Sequence, residues 1–199
     1  MSRLLIAAPL GIEAAIVRSA GHRGTVRKTG MGTDRARASA ATLARAPGEA
    51  LLVLGFCGGL DEHSVPGEVI VAEAVSSAQD EGHAPARVAC AEADRLTELL
   101  RARGLGVRGG EIVCVSKIAL GERRAQLLAG GALAVDMESV WLAPGARARP
   151  FAVVRVVLDS PSHELLRPQA VAGAVRAAQA LRQVARALHE WTPEPTRAG

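Results

Sequence analysis

Hydrophobic residues in this chain come in short continuous runs, separated by stretches in which they recur every three or four positions. A run that is apolar at every position predicts a strand buried on both faces of a sheet, because a half-exposed strand would alternate. Recurrence at every third or fourth position predicts an amphipathic helix. The predicted strands are residues 3–8, 24–29, 51–54, 68–75, 111–115, 132–135 and 151–158. One predicted helix begins close to Gly11, and the others cover residues 33–46, 91–103, 121–129 and 168–191.

The alternation of strands and helices predicts an α/β fold whose sheet is covered by helices on both faces. A length of 199 residues suits one domain, and no repeat or linker divides residues 1–199. Residues 192–199, which include Pro193 and Pro195, are expected to form a frayed tail. In open α/β sheets ligands bind beyond the carboxyl ends of the strands, so the residues that follow the predicted strands are the candidates for a site.

Composition excludes several classes of protein. Hydrophobic residues make up 49% of the chain, which is too many for intrinsic disorder, and no apolar run reaches the roughly 18 residues of a membrane-spanning helix. The N-terminal apolar run is short and meets Gly11 and Glu13 directly, which favours a strand over a signal peptide. Cys57, Cys90 and Cys114 form no CxxC pair, and an odd number of cysteines fits a reducing compartment. We therefore expect a cytoplasmic protein with no transmembrane segment.

The net charge of +4 does not by itself indicate a nucleic-acid partner. Of the 24 basic residues only Lys28 and Lys117 are lysines, and a bias toward arginine can reflect genome composition as easily as phosphate binding. Nucleic-acid binders usually combine a basic stripe with stacking aromatics, whereas the few aromatic residues here lie far apart. The five histidines show no metal-ligand spacing, so we expect no bound metal.

The turn at Gly30 does not carry the dinucleotide-binding motif, and two other common motifs do not occur in the chain. Residues 30–35 begin with Gly30-Met31-Gly32 but lack the third glycine of GxGxxG, and neither GxxxxGK[ST] nor GxSxG occurs. These absences disfavour a nicotinamide enzyme, a P-loop NTPase and a serine hydrolase of the usual α/β kind.

Several polar residues and glycines follow the predicted strands, and most have an interpretation that involves no ligand. Glu13 in a first helical turn suits the helix dipole, Gly30 and Gly32 can form a simple turn, and Asp159 can cap the turn that follows it. Glu138 is harder to explain in this way, because a charge directly after an apolar strand needs a partner or a ligand.

Four segments in order resemble the nucleoside phosphorylase and nucleosidase superfamily, of the purine nucleoside phosphorylase/uridine phosphorylase type. They are GFCGGL at residues 55–60, PGEVIVAE at 66–73, AVDMES at 134–139 and VRVVLD at 154–159. The similarity covers roughly residues 3–160 and implies a single-domain, three-layer α/β/α sandwich with a central mixed, mostly parallel sheet. Members of this superfamily break the N-glycosidic bond of a nucleoside with water or phosphate, use no cofactor and are usually homo-oligomers, here most simply dimer-based.

The resemblance implies a role for each matching residue. Glu13 and Asp159 would be catalytic, with Glu13 activating water and Asp159 donating a proton to the purine at N7. The implied substrate-binding residues are Gly30, Gly32, Cys57, Gly58, Met137 and Glu138. Of these, Met137 would pack on the ribose and Glu138 would accept hydrogen bonds from its hydroxyls. The turn at residues 30–32 would lie near the ribosyl or phosphate site, and the backbone of residues 57–59 would line the base and the sugar.

The chemistry of nucleoside cleavage requires side chains of these types. The sugar passes through an oxocarbenium-like cation while the base departs with negative charge, so an acid at the base contributes roughly 10²–10⁴-fold. Asp159 must hold a proton near neutral pH to be that acid, which burial favours. Glu13 on the opposite side would orient water, and Glu138 would place negative charge near the developing cation.

Three alternatives remain open on the residues alone. Glu13 would repel phosphate, which favours hydrolysis. Against this, Arg23, Arg27 and Arg35 flank the Gly30 turn, so a phosphorylase with inorganic phosphate as co-substrate is also possible. A nucleoside-binding protein without activity, or an α/β domain with no ligand, is also compatible with the fold.

The segment between the predicted strands 111–115 and 132–135 contains no phenylalanine or tyrosine, where many relatives stack the purine on an aromatic ring. The chain is also shorter than most relatives. An open site would suit a bulky or amphiphilic 5′ substituent, and the chain looks most like the hopanoid-associated branch, which is linked to removal of adenine from an adenosylated hopane.

Overall fold

The computed structural model describes residues 4–21, 24–78, 84, 86–163 and 170–194. Within these residues the chain forms eight strands and six α-helices. The strands are β1 (Leu4–Ala8), β2 (Thr25–Lys28), β3 (Ala50–Gly59), β4 (Val69–Ser77), β5 (Arg87–Ala89), β6 (Val107–Cys114), β7 (Ala132–Asp136) and β8 (Phe151–Asp159). The helices are α1 (Gly11–Ser19), α2 (Thr33–Leu43), α3 (Ala93–Ala102), α4 (Glu122–Ala129), α5 (Ser139–Leu142) and α6 (Ala170–Ala187).

The strands form one mixed sheet in the order β2-β1-β3-β7-β6-β4-β5, with β8 paired to both β3 and β4. Strands β3, β8, β4, β6 and β7 therefore close into a ring of hydrogen-bonded neighbours. Five of the pairings are parallel, and three are antiparallel. The predicted mixed, mostly parallel sheet is confirmed.

Helices pack on both faces of the sheet and divide the core into separate apolar clusters. One face carries α1, α3 and α6, whose Val17, Leu96 and Leu181 join the same buried cluster. The opposite face carries α2 and α5, which contribute Leu43 and Leu142 to a second cluster. A smaller third cluster fills the space under α4 at the ends of β6 and β7. This arrangement is the predicted three-layer α/β/α sandwich.

The largest difference from the sequence prediction lies at the end of β3, because the predicted strand stops at residue 54. Strand β3 instead continues to Gly59, because Gly58 pairs with Asp159 of β8 and with Val135 of β7. Backbone pairing on both sides keeps these glycines extended, which the hydrophobic pattern does not reveal. Strand β5 and helix α5 were also not predicted, since three and four residues are too few for a pattern to repeat.

Helix ends also differ from the prediction by a few residues. Helix α2 starts after Gly32 with no side-chain cap, and it ends at Leu43, before the predicted end at residue 46. Helix α6 ends at Ala187 and passes into a short 3₁₀ turn. The described part of the predicted frayed tail is tied down, because the Glu194 amide donates to Glu92. Residues 195–199 lie outside the described residues.

The described residues contain neither a helix that could cross a membrane nor a group of side chains that could hold a metal ion. None of their helices combines the length and the hydrophobicity needed to cross a bilayer. Their histidines, cysteines and carboxylates form no group of three or more that could hold a metal ion. Cys57, Cys90 and Cys114 are all buried and free of disulfide bonds.

Candidate active site

One cavity, with about 160 Å³ of solvent space, opens where β1, β3, β7 and β8 end. Its walls come from the turn between β1 and α1, the end of β3, the segment between β6 and α4, and the residues that follow β7. The lining residues are Pro9, Leu10, Glu13, Met31, Phe56, Cys57, Gly58, Val115, Ile118, Ala119, Arg124, Val135, Asp136, Met137, Glu138, Leu158 and Asp159. Strands β1, β3 and β8 are parallel, so their carboxyl ends deliver these residues to the same edge.

The structure brings six of the eight residues predicted from the sequence into this cavity. They are Glu13, Cys57, Gly58, Met137, Glu138 and Asp159. Gly32 lies behind the lining and donates its amide hydrogen to Oε1 of Glu138 over 2.8 Å. Gly30 does not line the cavity, and its amide donates to the carbonyl of Pro9, which shapes the turn that leads to Glu13.

Glu13 is fixed by two backbone amides from different elements. The amide of Leu10 donates to Oε2 and the amide of Phe56 donates to Oε1, both over 2.6 Å. Burial raises the pKa of Glu13, while the nearby charge of Arg155 and these two hydrogen bonds oppose the rise. The carboxyl is therefore rigidly placed and readier to accept a proton than a glutamate in water.

Gly55 makes room for this arrangement at the centre of β3. A Cβ atom at position 55 would lie 2.4 Å from Oε1 of Glu13 and 2.8 Å from Nη1 of Arg155. Both distances are shorter than real carbon contacts, so only glycine allows these two side chains to occupy their present positions.

Arg155 is the largest fully buried residue at this site that the sequence reasoning missed. It lies in the middle of β8 with 0% of its surface exposed. Its Nη2 is 2.6 Å from Oδ2 of Asp136 and 3.5 Å from Oε2 of Glu138, and it donates to the hydroxyl of Ser139 over 3.0 Å. Although burial lowers the pKa of Arg155, these carboxylates raise it overall, so the guanidinium stays charged. A single charge inside the apolar run VVRVV was the signal that could have identified it.

Asp136 is the principal counterion of Arg155. Its carboxylate also accepts hydrogen bonds from the Cys114 thiol over 2.8 Å and from the Ser139 hydroxyl. Burial on its own raises the pKa of Asp136, but Arg155 and these donors outweigh it, and the net shift is downward. Asp136 therefore stays ionised, and it holds Arg155, Cys114 and Ser139 in their positions.

Glu138 has a different environment from that of Asp136, two residues before it. Burial raises its pKa to about 7, and the opposing attraction of Arg155 is weakened because that guanidinium is already shared with Asp136. Glu138 therefore holds a proton more readily than Asp136 does. A carboxyl can donate a hydrogen bond when it is protonated and accepts hydrogen bonds when it is ionised.

Asp159 is buried at the end of β8, where its Oδ2 forms an ion pair with Nη2 of Arg124. Arg124, on α4, is itself buried and also donates to the carbonyls of Ala119 and Gly59. The sequence offers no signal for this partner, because Arg124 is one of many arginines and lies in a helix with a largely polar surface.

Most of the remaining cavity wall is apolar. Ile118 stands in the segment where the sequence offered no aromatic residue, and it is 68% exposed; Met31, also on the wall, is 49% exposed. Among the described lining residues Phe56 supplies the one aromatic ring. The sequence reasoning had not considered Phe56 for this role.

The sequence matches the Phosphorylase superfamily over residues 6–190. The chain belongs to that superfamily. The match spans almost the whole described chain, including every residue of the cavity lining. Among curated proteins, none matches the chain.

Solved structures confirm the superfamily fold. A 5′-methylthioadenosine/S-adenosylhomocysteine nucleosidase from Campylobacter jejuni is similar with a TM-score of 0.78 and 14% identity, covering 96% of this chain and 100% of that one. The corresponding nucleosidase from Neisseria meningitidis, in complex with methylthio-immucillin-A, gives a TM-score of 0.77 at 19% identity, with the same coverage. Futalosine hydrolase from Helicobacter pylori gives 0.75 at 15% identity, covering 94% of this chain and 95% of that one.

Proposed function

We propose that this protein hydrolyses the N-glycosidic bond of a purine nucleoside, with adenine as the leaving base. One observation carries the proposal: the carboxyl groups of Glu13, Glu138 and Asp159 line a single, mostly apolar cavity. Nucleoside cleavage needs acidic groups at the water, the sugar and the base, and these three residues come from three different parts of the fold. The similar nucleosidases and futalosine hydrolase support the assignment.

Glu13 orients the attacking water in this proposal. Its two oxygens are already held by the amides of Leu10 and Phe56, so its position is set before a substrate arrives. Its raised pKa suits a base that takes a proton from water as the bond to C1′ forms. A water held in line with the departing base requires no covalent intermediate on the enzyme.

Met137 and Glu138 hold the ribose. Both line the cavity, and the amide of Gly32 fixes one oxygen of Glu138 while Arg155 lies beside the other. Ionised Glu138 accepts hydrogen bonds from the sugar hydroxyls and stabilises the positive charge that develops on the ring. Arg155 keeps Glu138 and Asp136 in place and is not itself required to touch the substrate.

The apolar wall supports a substrate with an apolar 5′ substituent. Ile118 and Met31 are exposed apolar side chains at the cavity. The hydroxymethyl group of an ordinary nucleoside is too small to cover them, whereas an apolar 5′ substituent would remove them from water. An adenosylated hopanoid has such a substituent, and we propose it as the preferred substrate. Phe56 is the available stacking partner for the base.

Water is favoured over phosphate as the nucleophile. Phosphorylases need cationic groups for phosphate, and Arg124 is the one arginine among the described lining residues. Arg124 is already paired with Asp159, and Glu13 would repel an anion nearby. The reaction needs no cofactor, and inorganic phosphate would enter only as the co-substrate of a phosphorylase.

Product analysis tests the proposal directly. The purified protein is incubated with adenosine and with 5′-alkylthioadenosines of increasing chain length, with and without phosphate. We expect adenine and free ribose sugar in both conditions, with kcat/KM rising with chain length. Ribose 1-phosphate formed only with phosphate would establish the phosphorylase alternative. No base release from any nucleoside, together with measurable nucleoside binding, would establish a binding protein.

We further propose that the protein is a cytoplasmic homo-oligomer built from dimers. Its three buried free cysteines support a reducing compartment. Ile12 and Leu120 are large apolar side chains that the single chain leaves exposed, as an interface between subunits would require. Light scattering coupled to size-exclusion chromatography tests the assembly, and a monomer at micromolar concentration would contradict it.

A further inference from the structure

Arg124 connects three parts of the cavity with one buried side chain. Its Nε donates to the carbonyl of Ala119 over 2.9 Å, its Nη1 donates to the carbonyl of Gly59 over 3.3 Å, and its Nη2 pairs with Oδ2 of Asp159. The guanidinium is held by two rigid carbonyls as well as by the carboxylate. It therefore fixes the direction of the Asp159 carboxyl, in addition to neutralising its charge.

The second oxygen of Asp159 is left for a ligand. None of the described residues donates a hydrogen bond to Oδ1, whereas Oδ2 carries the whole ion pair. Gly58 lies beside this carboxyl: a Cβ at position 58 would be at an ordinary contact distance of 3.5 Å from Oδ1 but only 3.2 Å from Nη2 of Arg124. A buried carboxyl with one fixed and one open oxygen is suited to a directed interaction with a single polar atom of the base.

We propose that Arg124 is a positioning residue for base release, acting through Asp159. This inference rests on the proposed nucleosidase function. In the step concerned, Asp159 starts in its protonated form, its O–H bond at Oδ1 breaks and an N–H bond forms on the base, which leaves the carboxylate that pairs with Arg124 in the present structure. The electron pair of the C1′–N bond passes into the base, and water forms the new bond to C1′ while giving its proton to Glu13. Arg124 keeps its own protons and stabilises the carboxylate that remains on Asp159.

The ion pair has a large effect because Asp159 is buried. A carboxylate that forms in a buried site without a counterion is strongly disfavoured, so proton donation would be opposed as it proceeds. With Arg124 in place, the charge that Asp159 acquires in the transition state meets a fixed opposite charge, which needs no reorganisation. The predicted consequence is on the rate of the chemical step, not on substrate binding.

A double-mutant cycle tests the inference. The variants are Arg124→Met, Asp159→Asn and the double variant, with kcat and KM measured for release of adenine from a 5′-alkylthioadenosine. Arg124→Lys retains the charge and is run in both backgrounds in case the methionine variant folds poorly. Arg149→Met is the matched control, because Arg149 donates to the carbonyls of Leu43 and Ala46 and does not line the cavity.

We expect Arg124→Met and Asp159→Asn each to lower kcat by about 10²–10⁴-fold, the range of general acid catalysis, with KM nearly unchanged. The double variant should be no slower than the slower single variant, and Arg124→Lys should lower kcat only when Asp159 is present. Additive losses, or losses shared by Arg149→Met, would show a purely structural role and overturn the inference. A wild-type protein that releases no base overturns the proposed function, and this inference with it.

Discussion

Arg155 and Asp136 form an ion pair of 2.6 Å whose side chains are 0% and 1% exposed, in the space between β8 and the turn after β7. The pair is surrounded by groups that depend on it. Glu138 pairs with the same guanidinium. The Ser139 hydroxyl donates a hydrogen bond to Asp136 and accepts one from Arg155. The charge at the centre of this site therefore serves both the stability of the fold and the placement of the Glu138 carboxyl.

Replacing Arg155 is predicted to destabilise the fold. Arg155→Met leaves Asp136 buried without a cation, and breaking a buried pair in this way costs about 3–5 kcal/mol in the free energy of unfolding. Urea denaturation followed by circular dichroism measures the loss. Arg182→Met is the control, because Arg182 is exposed and is expected to change stability by less than about 0.5 kcal/mol. Equal stability of the two variants would contradict the importance of the pair.

Glu13→Gln is predicted to abolish most of the activity while leaving the protein folded. The amide side chain can still accept one backbone hydrogen bond but cannot take a proton from water, so kcat should fall by about 10²–10⁴-fold. Release of adenine measured by absorbance reports the change. Glu98→Gln, an exposed glutamate of α3, is the matched control and should retain wild-type kcat. If Glu13→Gln retains full activity, Glu13 is not the base.

Stability is predicted to fall as the pH rises, in a window set by Glu138. Its pKa is raised from the ordinary 4.5 to about 7, so between these values the folded protein binds more protons than the unfolded chain. The free energy of unfolding then decreases with increasing pH, at up to about 1.4 kcal/mol per unit for one group. Glu13 also has a raised pKa and acts in the same direction.

Glu138→Gln isolates this contribution. The wild-type protein should lose stability relative to Glu138→Gln between about pH 4.5 and 7, and the difference should level off above pH 7. Urea denaturation at half-unit pH intervals measures both curves. Parallel curves across this range would show that Glu138 titrates normally.

Gly55→Ala is predicted to damage the site without touching a polar group. The new methyl group would overlap Glu13 and Arg155, and overpacking of this kind costs about 1–3 kcal/mol in the free energy of unfolding. Because the overlap displaces Glu13, kcat should fall at least tenfold. A tenfold fall corresponds to a loss of about 1.4 kcal/mol in transition-state stabilisation. Gly106→Ala is the control, since no atom lies within 4 Å of its added Cβ. A fully active Gly55→Ala would show that Glu13 tolerates movement.

Ile118→Gln is predicted to affect only substrates with an apolar 5′ group. Loss of a partly exposed apolar contact of about 1 kcal/mol should raise KM for a long-chain 5′-alkylthioadenosine about fivefold, with no change for adenosine. Val171→Gln removes another exposed apolar residue away from the cavity and should change neither KM. An equal effect on both substrates would remove the support for an apolar 5′ pocket.

The sequence predicts the strands of the buried sheet well, because a run such as FAVVRVVL is apolar on both faces and has few other structures available. It also indicates most of the lining, since Glu13, Met137, Glu138 and Asp159 all follow strands. Arg155 was accessible from the same pattern as an isolated charge in an apolar strand.

Other features of the site depend on contacts between distant parts of the chain. Arg124 reaches Asp159 across 35 positions, and Phe56 enters the wall only because β3 is extended by pairing with β7 and β8. Local patterns of hydrophobicity contain no information about such pairings. Arg124 and Phe56, which contribute to the cavity wall through these distant contacts, were therefore the hardest residues to predict.

The pairing of β8 with β3 shifts register between Cys57 and Gly58, so that Val157 faces Cys57 while Asp159 faces Gly58. Leu158 is the extra residue of this bulge. With regular pairing Leu158 would lie opposite Gly58, and Asp159 would lie opposite Gly59, whose added Cβ would meet Ser64 and Ser160. The register of this strand is thus as much a determinant of chemistry as the identity of its residues. Deleting Leu158 would keep every proposed catalytic side chain and leave Asp159 opposite Gly58, but it would remove the bulge that bends the strand there, so a search for relatives with the same activity should compare this register shift as well as the acidic residues.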